Sequence, residues 1–192
     1  MINTTVKNNT MVYKELAKNM VIVYDTREKE GKNSHILEYL TGKGVPCIRQ
    51  KMDYGDYTCI IPKNEKMGLM QDIYCGDIVT IERKANLEEL SNNLCHERER
   101  IERELQRHRG NMYMLIEGHS YEDLVKHNYG TKMTPQAFIG SLYSFATRYG
   151  VEINYIKDKR YTGHYIAYIL YYNVVNAFKY GILSIEKGGL NI

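Results

Sequence analysis

Apolar runs and polar punctuation alternate along the chain in a strand–helix rhythm. MVIVYDT (20–26) is a continuous apolar run that closes on Asp25, as a buried strand does. NSHILEYLTGKG (33–44) carries helical spacing, with Asn33 or Ser34 to start it and Gly42 or Gly44 to end it. CIRQKMD (47–53) alternates in the manner of a half-buried strand; Tyr54-Gly55-Asp56 is a tight turn, and YTCIIP (57–62) is the next strand. A polar connection over 62–72 predicts a hairpin, and DIVTIERK (77–84) is the central strand. Asn86 then caps one long helix, 87–108, with Glu89 as its capping-box partner and Leu87, Leu90, Leu94, Ile101 and Leu105 as its apolar stripe. NMYMLIEG (111–118) and VEINYIK (151–157) read as strands. Residues 120–127, 134–150 and 162–181 read as helices, the second with Thr134 as cap and Pro135 in its first turn. Strands interleaved with helices predict a single α/β domain. The expected layout is a flexible segment over 1–19 (disordered to 10, at most a short helix over 11–19), a domain over 20–181 and a tail over 182–192.

Composition narrows the picture only slightly. A length of 192 residues suits one sizeable core, and a net charge of +3 does not by itself identify a nucleic-acid binder. No stretch approaches the roughly 20 apolar residues of a membrane span, and the polar start MINTTVKNNT lacks a secretory h-region, so a cytoplasmic protein without membrane attachment is expected. The four cysteines, 47, 59, 75 and 95, make no CxxC pair, which argues against structural zinc. Tyrosine is abundant at 18 residues, against 3 Phe and no Trp. Those between 161 and 180 are read as core or as a dimer face rather than as base-stacking rings; an exposed apolar stripe there would favour a homodimer.

The chemistry concentrates where strands end. Glu82-Arg83-Lys84 puts three charges in a row at the end of an apolar run, and burying charge is costly unless it is paired or bound to a metal. On a strand, Glu82 and Lys84 share one face and Arg83 takes the other. If Asp56 joins them from the neighbouring hairpin strand, two carboxylates form a hard oxygen site suited to Mg²⁺ or Mn²⁺. Lys84 could then orient or help deprotonate a water and offset phosphate charge. That is a phosphodiester-cleaving arrangement. Other features carry less. His127-Asn128 lacks the second histidine of an HNH nuclease at useful spacing, and the Glu/Arg run 97–109 is a solvated helix face unless some of its arginines reach DNA phosphates.

Three blocks in order, Asp25-Thr26-Arg27-Glu28, Gly55-Asp56-Tyr57 and Glu82-Arg83-Lys84, resemble the nuclease domain of the XPF family of structure-specific DNA endonucleases. The resemblance runs from about residue 20 to 180, most firmly to 120. It implies a restriction-endonuclease-like, or PD-(D/E)XK, fold with a central mixed sheet flanked by helices. It implies metal carboxylates at Asp56 and Glu82, a catalytic lysine at Lys84, a further metal-side acid at Asp25, and Arg27 and Glu28 in the surrounding shell. Arg83 becomes a structural or DNA-facing arginine, and the helix of the Glu/Arg run lies beside the site, with Arg100 and Arg103 taken as its DNA contacts. Departures are His35, where the family often has a glutamate, and Glu88 for an aspartate. His35 is read either as a ligand or polarising group or as a helix-end residue without a role. Residues 120–180 show no G-x-G hairpin pattern for the helix-hairpin-helix module that commonly follows in the family, so a stand-alone phage- or bacterial-like nuclease domain is expected. The expected function is metal-dependent endonucleolytic cleavage of branched, flap or fork DNA. The rivals are a non-catalytic scaffold subunit and a nuclease of the same fold acting on RNA.

Overall fold

The computed structural model describes residues 4–28 and 31–185. In chain order the elements are α1 (Thr4–Lys18), β1 (Val21–Tyr24), α2 (Ser34–Gly42), β2 (Cys47–Arg49), β3 (Tyr57–Ile61), β4 (Ile73–Tyr74), β5 (Val79–Lys84), α3 (Leu87–His96), α4 (Arg98–Arg107), β6 (Asn111–Glu117), α5 (Tyr121–Val125), α6 (Pro135–Tyr149), β7 (Val151–Ile156) and α7 (Thr162–Lys179). The strands form one mixed sheet in the order β2-β1-β3-β5-β6-β7. β1 runs parallel to β2 and antiparallel to β3, β3 is antiparallel to β5, and β5, β6 and β7 are parallel. β4 pairs with the far end of β3, so β4 and β5 act as one interrupted partner strand for the expected hairpin.

β6 explains why the sheet is covered on both faces. Met112, Met114 and Ile116 join a core with Leu87, Leu90, Leu94, Ile101, Leu105, Phe138 and Leu142 from α3, α4 and α6. Leu115, with Tyr113 beside it, joins the opposite core, made with Leu16, Ile36, Leu40, Ile166, Leu170 and Val174 from α1, α2 and α7. Two-sided burial turns β6 into a continuous apolar run, as strands between helical layers commonly read. No described helix is long and apolar enough to cross a membrane.

Several local readings change. The segment expected to be flexible up to residue 19 is helix from Thr4 to Lys18. Leu16 and Ala17 are buried, and Tyr13 stacks on Phe178 of α7 with ring centroids 5.3 Å apart. The tertiary contact with α7, which no local pattern shows, holds this helix in place. Residues 1–3 and 186–192 of the expected terminal segments lie outside the described residues, but Leu183 and Ile185 pack against the core. The long helix over 87–108 is two helices, broken at Glu97 (φ −126°, ψ 22°). Residues 95–100 carry no large apolar anchor and follow Asn92-Asn93, a weak helix-forming pair. Asn86 caps α3 by accepting from the Glu89 N–H at 2.8 Å; the Glu89 carboxylate, however, reaches the Ala85 N–H (2.9 Å). The strand expected over 47–53 stops at Arg49, because the Met52 N–H donates instead to the Asp25 carboxylate at 2.6 Å.

α7 buries Ile166, Leu170, Val174, Val175 and Phe178, while its Tyr168 and Tyr172, and Tyr180 just beyond it, stay exposed. α7 crosses α2 at Gly163, where a Cβ would lie 2.8 Å from Tyr39 Cδ1 and 3.1 Å from the Ile36 carbonyl oxygen. Gly163→Ala is expected to cost about 1–3 kcal/mol through overpacking, seen as a lower urea midpoint at unchanged m-value.

Candidate active site

The turn at Gly55 sets the site. Gly55 has φ +71°, a conformation that disfavours any side chain, and an added Cβ would come within 3.1 Å of Thr80 Cβ. The turn delivers Asp56 between three strands. Its N–H donates to the Ile81 carbonyl at 2.8 Å, and its carbonyl accepts from the Asp25 N–H at 2.9 Å. Its side-chain Oδ2 accepts the Arg83 N–H at 2.7 Å. The carboxylate therefore sits against β5, beside Glu82.

Glu82 and Lys84 project toward the α3/α4 side, and Lys84 Nζ donates to Glu82 Oε1 at 2.7 Å. With Asp56, Glu28, Glu89, Glu97 and Glu104 they line a cleft of about 290 Å³, whose cations are Arg27, Lys32, Arg83, Lys84 and Arg100. Burial, and then the Glu82 charge, push the Asp56 carboxyl well above the usual carboxylate range, against Lys84 and the Arg83 N–H. Burial also raises Glu28, with Glu89, Glu82 and Glu117 adding to it and Arg83 opposing. For Lys84, burial disfavours the charge, but Glu82 and Asp56 outweigh it and hold the ammonium above the ordinary lysine range. As placed, Lys84 is a donor to Glu82 at the cleft.

Arg83 faces the other way. It is 6% exposed, and its Nε and Nη2 donate to Glu117 Oε2 at 2.9 and 2.5 Å. Its Nη2 also reaches the Lys32 carbonyl at 3.1 Å, and Nη1 lies 3.7 Å from Glu28 Oε2. Its hydrogen bonds are thus committed to Glu117 and the Lys32 carbonyl, although it also borders the cleft. The structural role expected for Arg83 is the one it has. His35 Nε2 lies 2.8 Å from the second oxygen of Glu117. His35 thus braces the Arg83–Glu117 pair from α2 and does not line the cleft. Burial raises Glu117, but its hydrogen bonds, chiefly from Arg83, bring it below the usual glutamate range.

Asp25 is also placed differently from the expectation. It is fully buried, and its two oxygens accept from Arg27 N (2.6 Å), Arg27 Nε (2.8 Å), Arg27 Nη2 (3.3 Å) and Met52 N (2.6 Å). Burial opposes its ionisation, yet these donors hold it below the usual aspartate range. It orients Arg27 and, unlike Asp56 and Glu82, does not line the cleft. Arg27 reaches the rim, 3.7 Å from Glu104. Arg100 lines the cleft and pairs with Glu97 and, at 3.0 Å, with Glu104. Arg103 is exposed outside it, beside Gln106 and Arg107.

Sequence reasoning missed Glu117 and the cleft acids Glu89, Glu97 and Glu104. Glu117 carries the same mark as Glu82, a carboxylate closing an apolar strand, and that mark could have found it. Among the described residues no three His, Cys, Asp or Glu side chains converge as a metal cluster. Asp56 Oδ1 and Glu82 Oε2 remain without a protein donor there. Two hard carboxylates with open coordination match the needs of Mg²⁺, which keeps several waters and takes one or two carboxylates plus substrate phosphates.

The mixed sheet with helices on both faces and acids at the ends of its central strands is a restriction-endonuclease-like α/β fold. The ERCC4 domain matches residues 24–169, so the chain belongs to the ERCC4 domain family, the XPF-type nuclease domains. Among solved structures, XPF from Aeropyrum pernix is similar at TM-score 0.54 and 20% identity, covering 78% of this chain and 63% of that one. XPF from Aeropyrum pernix in complex with DNA is similar at TM-score 0.55 and 18% identity, covering 78% and 62%. The chain thus spans less than two thirds of the length of that relative. No curated protein matches.

Two stability tests follow from these charges. Glu117→Ala strands a buried guanidinium, at an expected loss of about 3–5 kcal/mol, while Glu117→Gln keeps an acceptor and loses less; equal losses in urea unfolding would mean that lost volume governs rather than charge. For Asp56, the folded chain keeps its proton above pH 3.8, the ordinary aspartate value, where the unfolded chain has released it. Stability contributed by this group therefore falls as pH rises from there through the folded-state pKa. Without divalent cation, Asp56→Asn should melt above the wild type at pH 7, by about 0.5–2 kcal/mol, and the gap should close toward pH 4.

Proposed function

We propose that the chain is a metal-dependent DNA endonuclease that hydrolyses phosphodiester bonds, acting on branched, flap or fork DNA. The observation that carries the reading is the crowding of Asp56 and Glu82 against Lys84 in an open cleft. Burial first, and then the charge of Glu82, raise the proton affinity of Asp56 there. A divalent cation held by Asp56 and Glu82 would relieve the repulsion, supply an activated water and neutralise a phosphate oxygen. The remaining work falls to the chain's own side chains. Lys84, fixed by Glu82, presents a permanent positive charge where charge builds on the phosphate. Arg27, aligned by Asp25, and Arg100, aligned by Glu97 and Glu104, stand at the rim where flanking phosphates would lie. Arg103 would add a more distant phosphate contact through its exposed position.

Membership of the ERCC4 family and the likeness to an XPF that was solved in complex with DNA support DNA as the substrate. The intact Asp56, Glu82 and Lys84 favour an enzyme over a scaffold subunit. Labelled duplex, single-stranded, flap and fork DNA, with matched RNA, are incubated with Mg²⁺ or Mn²⁺ and with EDTA. Cleavage is expected only with the cation and on branched DNA, and Glu82→Ala or Lys84→Ala should lower the rate by about 10²–10⁴-fold. Cutting that survives EDTA or Glu82→Ala would overturn the reading. Binding without cutting would favour the scaffold, and preferential RNA cleavage the RNA nuclease.

A further inference from the structure

α7 presents a face that the cleft does not use. Its exposed positions are His164, Tyr168, Tyr172, Asn176 and Lys179, and the first four repeat at intervals of four residues in a single line. That line is about 18 Å long at 1.5 Å per residue. No residue of α7 is acidic, and none of its exposed ones is aliphatic. The rings already lie in series. His164 stacks on Tyr168 with centroids 4.4 Å apart and an interplanar angle of 26°, and Tyr168 meets Tyr172 at 6.2 Å. Tyr168 and Tyr172 are 51% and 52% exposed, and Tyr161 and Tyr180, just beyond the two ends of α7, are exposed as well.

Cations attend the line at three points. Lys43 lies over Tyr39, whose ring edges onto His164. Lys18, paired with Glu15, bears on Tyr171, which packs edge-on against Tyr172. Lys179 lies over Tyr180. The far end opens into a cavity of about 370 Å³, larger than the cleft, walled by Asn111, Asn173 and Asn176 with Tyr113 and Tyr172. Asn111 Nδ2 donates to Asn173 Oδ1 at 2.7 Å, and Asn173 Nδ2 donates to the Tyr113 hydroxyl at 3.2 Å. Asp77, the carboxylate at this cavity, accepts from the Tyr54 hydroxyl. The cavity lies at the starts of β5 and β6, the cleft at their ends, and α7 runs from one toward the other.

The geometry points to α7 as a track for an unpaired DNA strand, whose bases stack on His164, Tyr168 and Tyr172 and whose leading base enters the asparagine-lined cavity. Aromatic rings beside lysines are the chemistry of single-strand binding, because every base has an open π-face and every phosphate a charge. A duplex offers the phosphate charges but not the base faces, which are already stacked. Amide and hydroxyl groups at the end of the line suit the polar edges of a base. A second copy of this chain fits less well, because a two-fold contact would set the same lysine-bearing face against itself. The proposal rests on the reading of the chain as a DNA endonuclease and gives the single-stranded arm of its substrate a place, but its test does not need cleavage.

The full chain is titrated in EDTA into a fluorescent deoxythymidine oligomer, its abasic counterpart and a blunt duplex, with binding read by anisotropy and oligomeric state by sedimentation. The wild type should prefer the single strand over both controls. Tyr168→Ala/Tyr172→Ala should weaken single-strand binding by about tenfold per ring and leave duplex binding unchanged; Tyr168→Phe/Tyr172→Phe, which keeps the rings, should bind like the wild type. Binding is read in EDTA and needs no cleavage, so a failure of the cleavage reading stays distinct from a failure of this one. Equal binding of the abasic oligomer, an equal loss in the Phe variant, or a change from dimer to monomer in the Ala variant without loss of strand binding would each overturn the proposal.

Discussion

The ion pair between Arg83 and Glu117 is what the site is built around. Both side chains are buried, both close apolar strands, and β5 and β6 are parallel and in register at that point. Neither charge could be tolerated there alone, and together they join the ends of the two strands. His35 holds the second oxygen of Glu117 from α2, and Glu28 approaches the guanidinium from the segment after β1. Because Arg83 is fixed on one face of β5, its neighbours Glu82 and Lys84 are fixed on the other. The Arg83 N–H, in turn, holds Asp56 beside them. A second charged knot, Asp25 with Arg27 and the Met52 N–H, anchors the end of β1 in the same way.

The two sides of β5 use charge for opposite ends. On the Arg83 side every carboxylate oxygen of Glu117 is matched by a donor, so the arrangement is stable in itself. On the Glu82 side Asp56 and Glu82 crowd together with one ammonium, Lys84, between two acids. The fold sustains that mismatch because the Arg83–Glu117 pair and the two hydrophobic cores hold the strands in place. Strain of this kind, concentrated at a cleft and borne by the rest of the structure, marks the cleft as the candidate functional site.

Much of the fold was legible from pattern alone. Two-sided burial gave β5 and β6 apolar runs that mark strands without ambiguity, and Asn86 and Thr134 marked helix starts because their side chains satisfy open N–H groups. The alternation of side chains on a strand was enough to separate Glu82 and Lys84 from Arg83. Other features were not legible because long-range contacts decide them. α1 depends on packing against α7, and the short β2 ends where Asp25 captures the Met52 N–H. The break at Glu97, which opens a cleft between helix and sheet, lies in a stretch whose local pattern permits either one helix or two.

The sequence by itself determined the family and where the candidate chemistry lies along the chain. Carboxylates and a lysine at strand ends are few and costly, and their order along the chain is specific. It could not determine which of them meet. Asp25, Asp56, Glu82 and Glu117 all close apolar strands or turns and look alike in one dimension, yet two share the cleft, one aligns Arg27 and one neutralises Arg83. The assignment follows from which donors lie within hydrogen-bond reach once β1, β3, β5 and β6 are in register, and that is a property of the packed sheet alone.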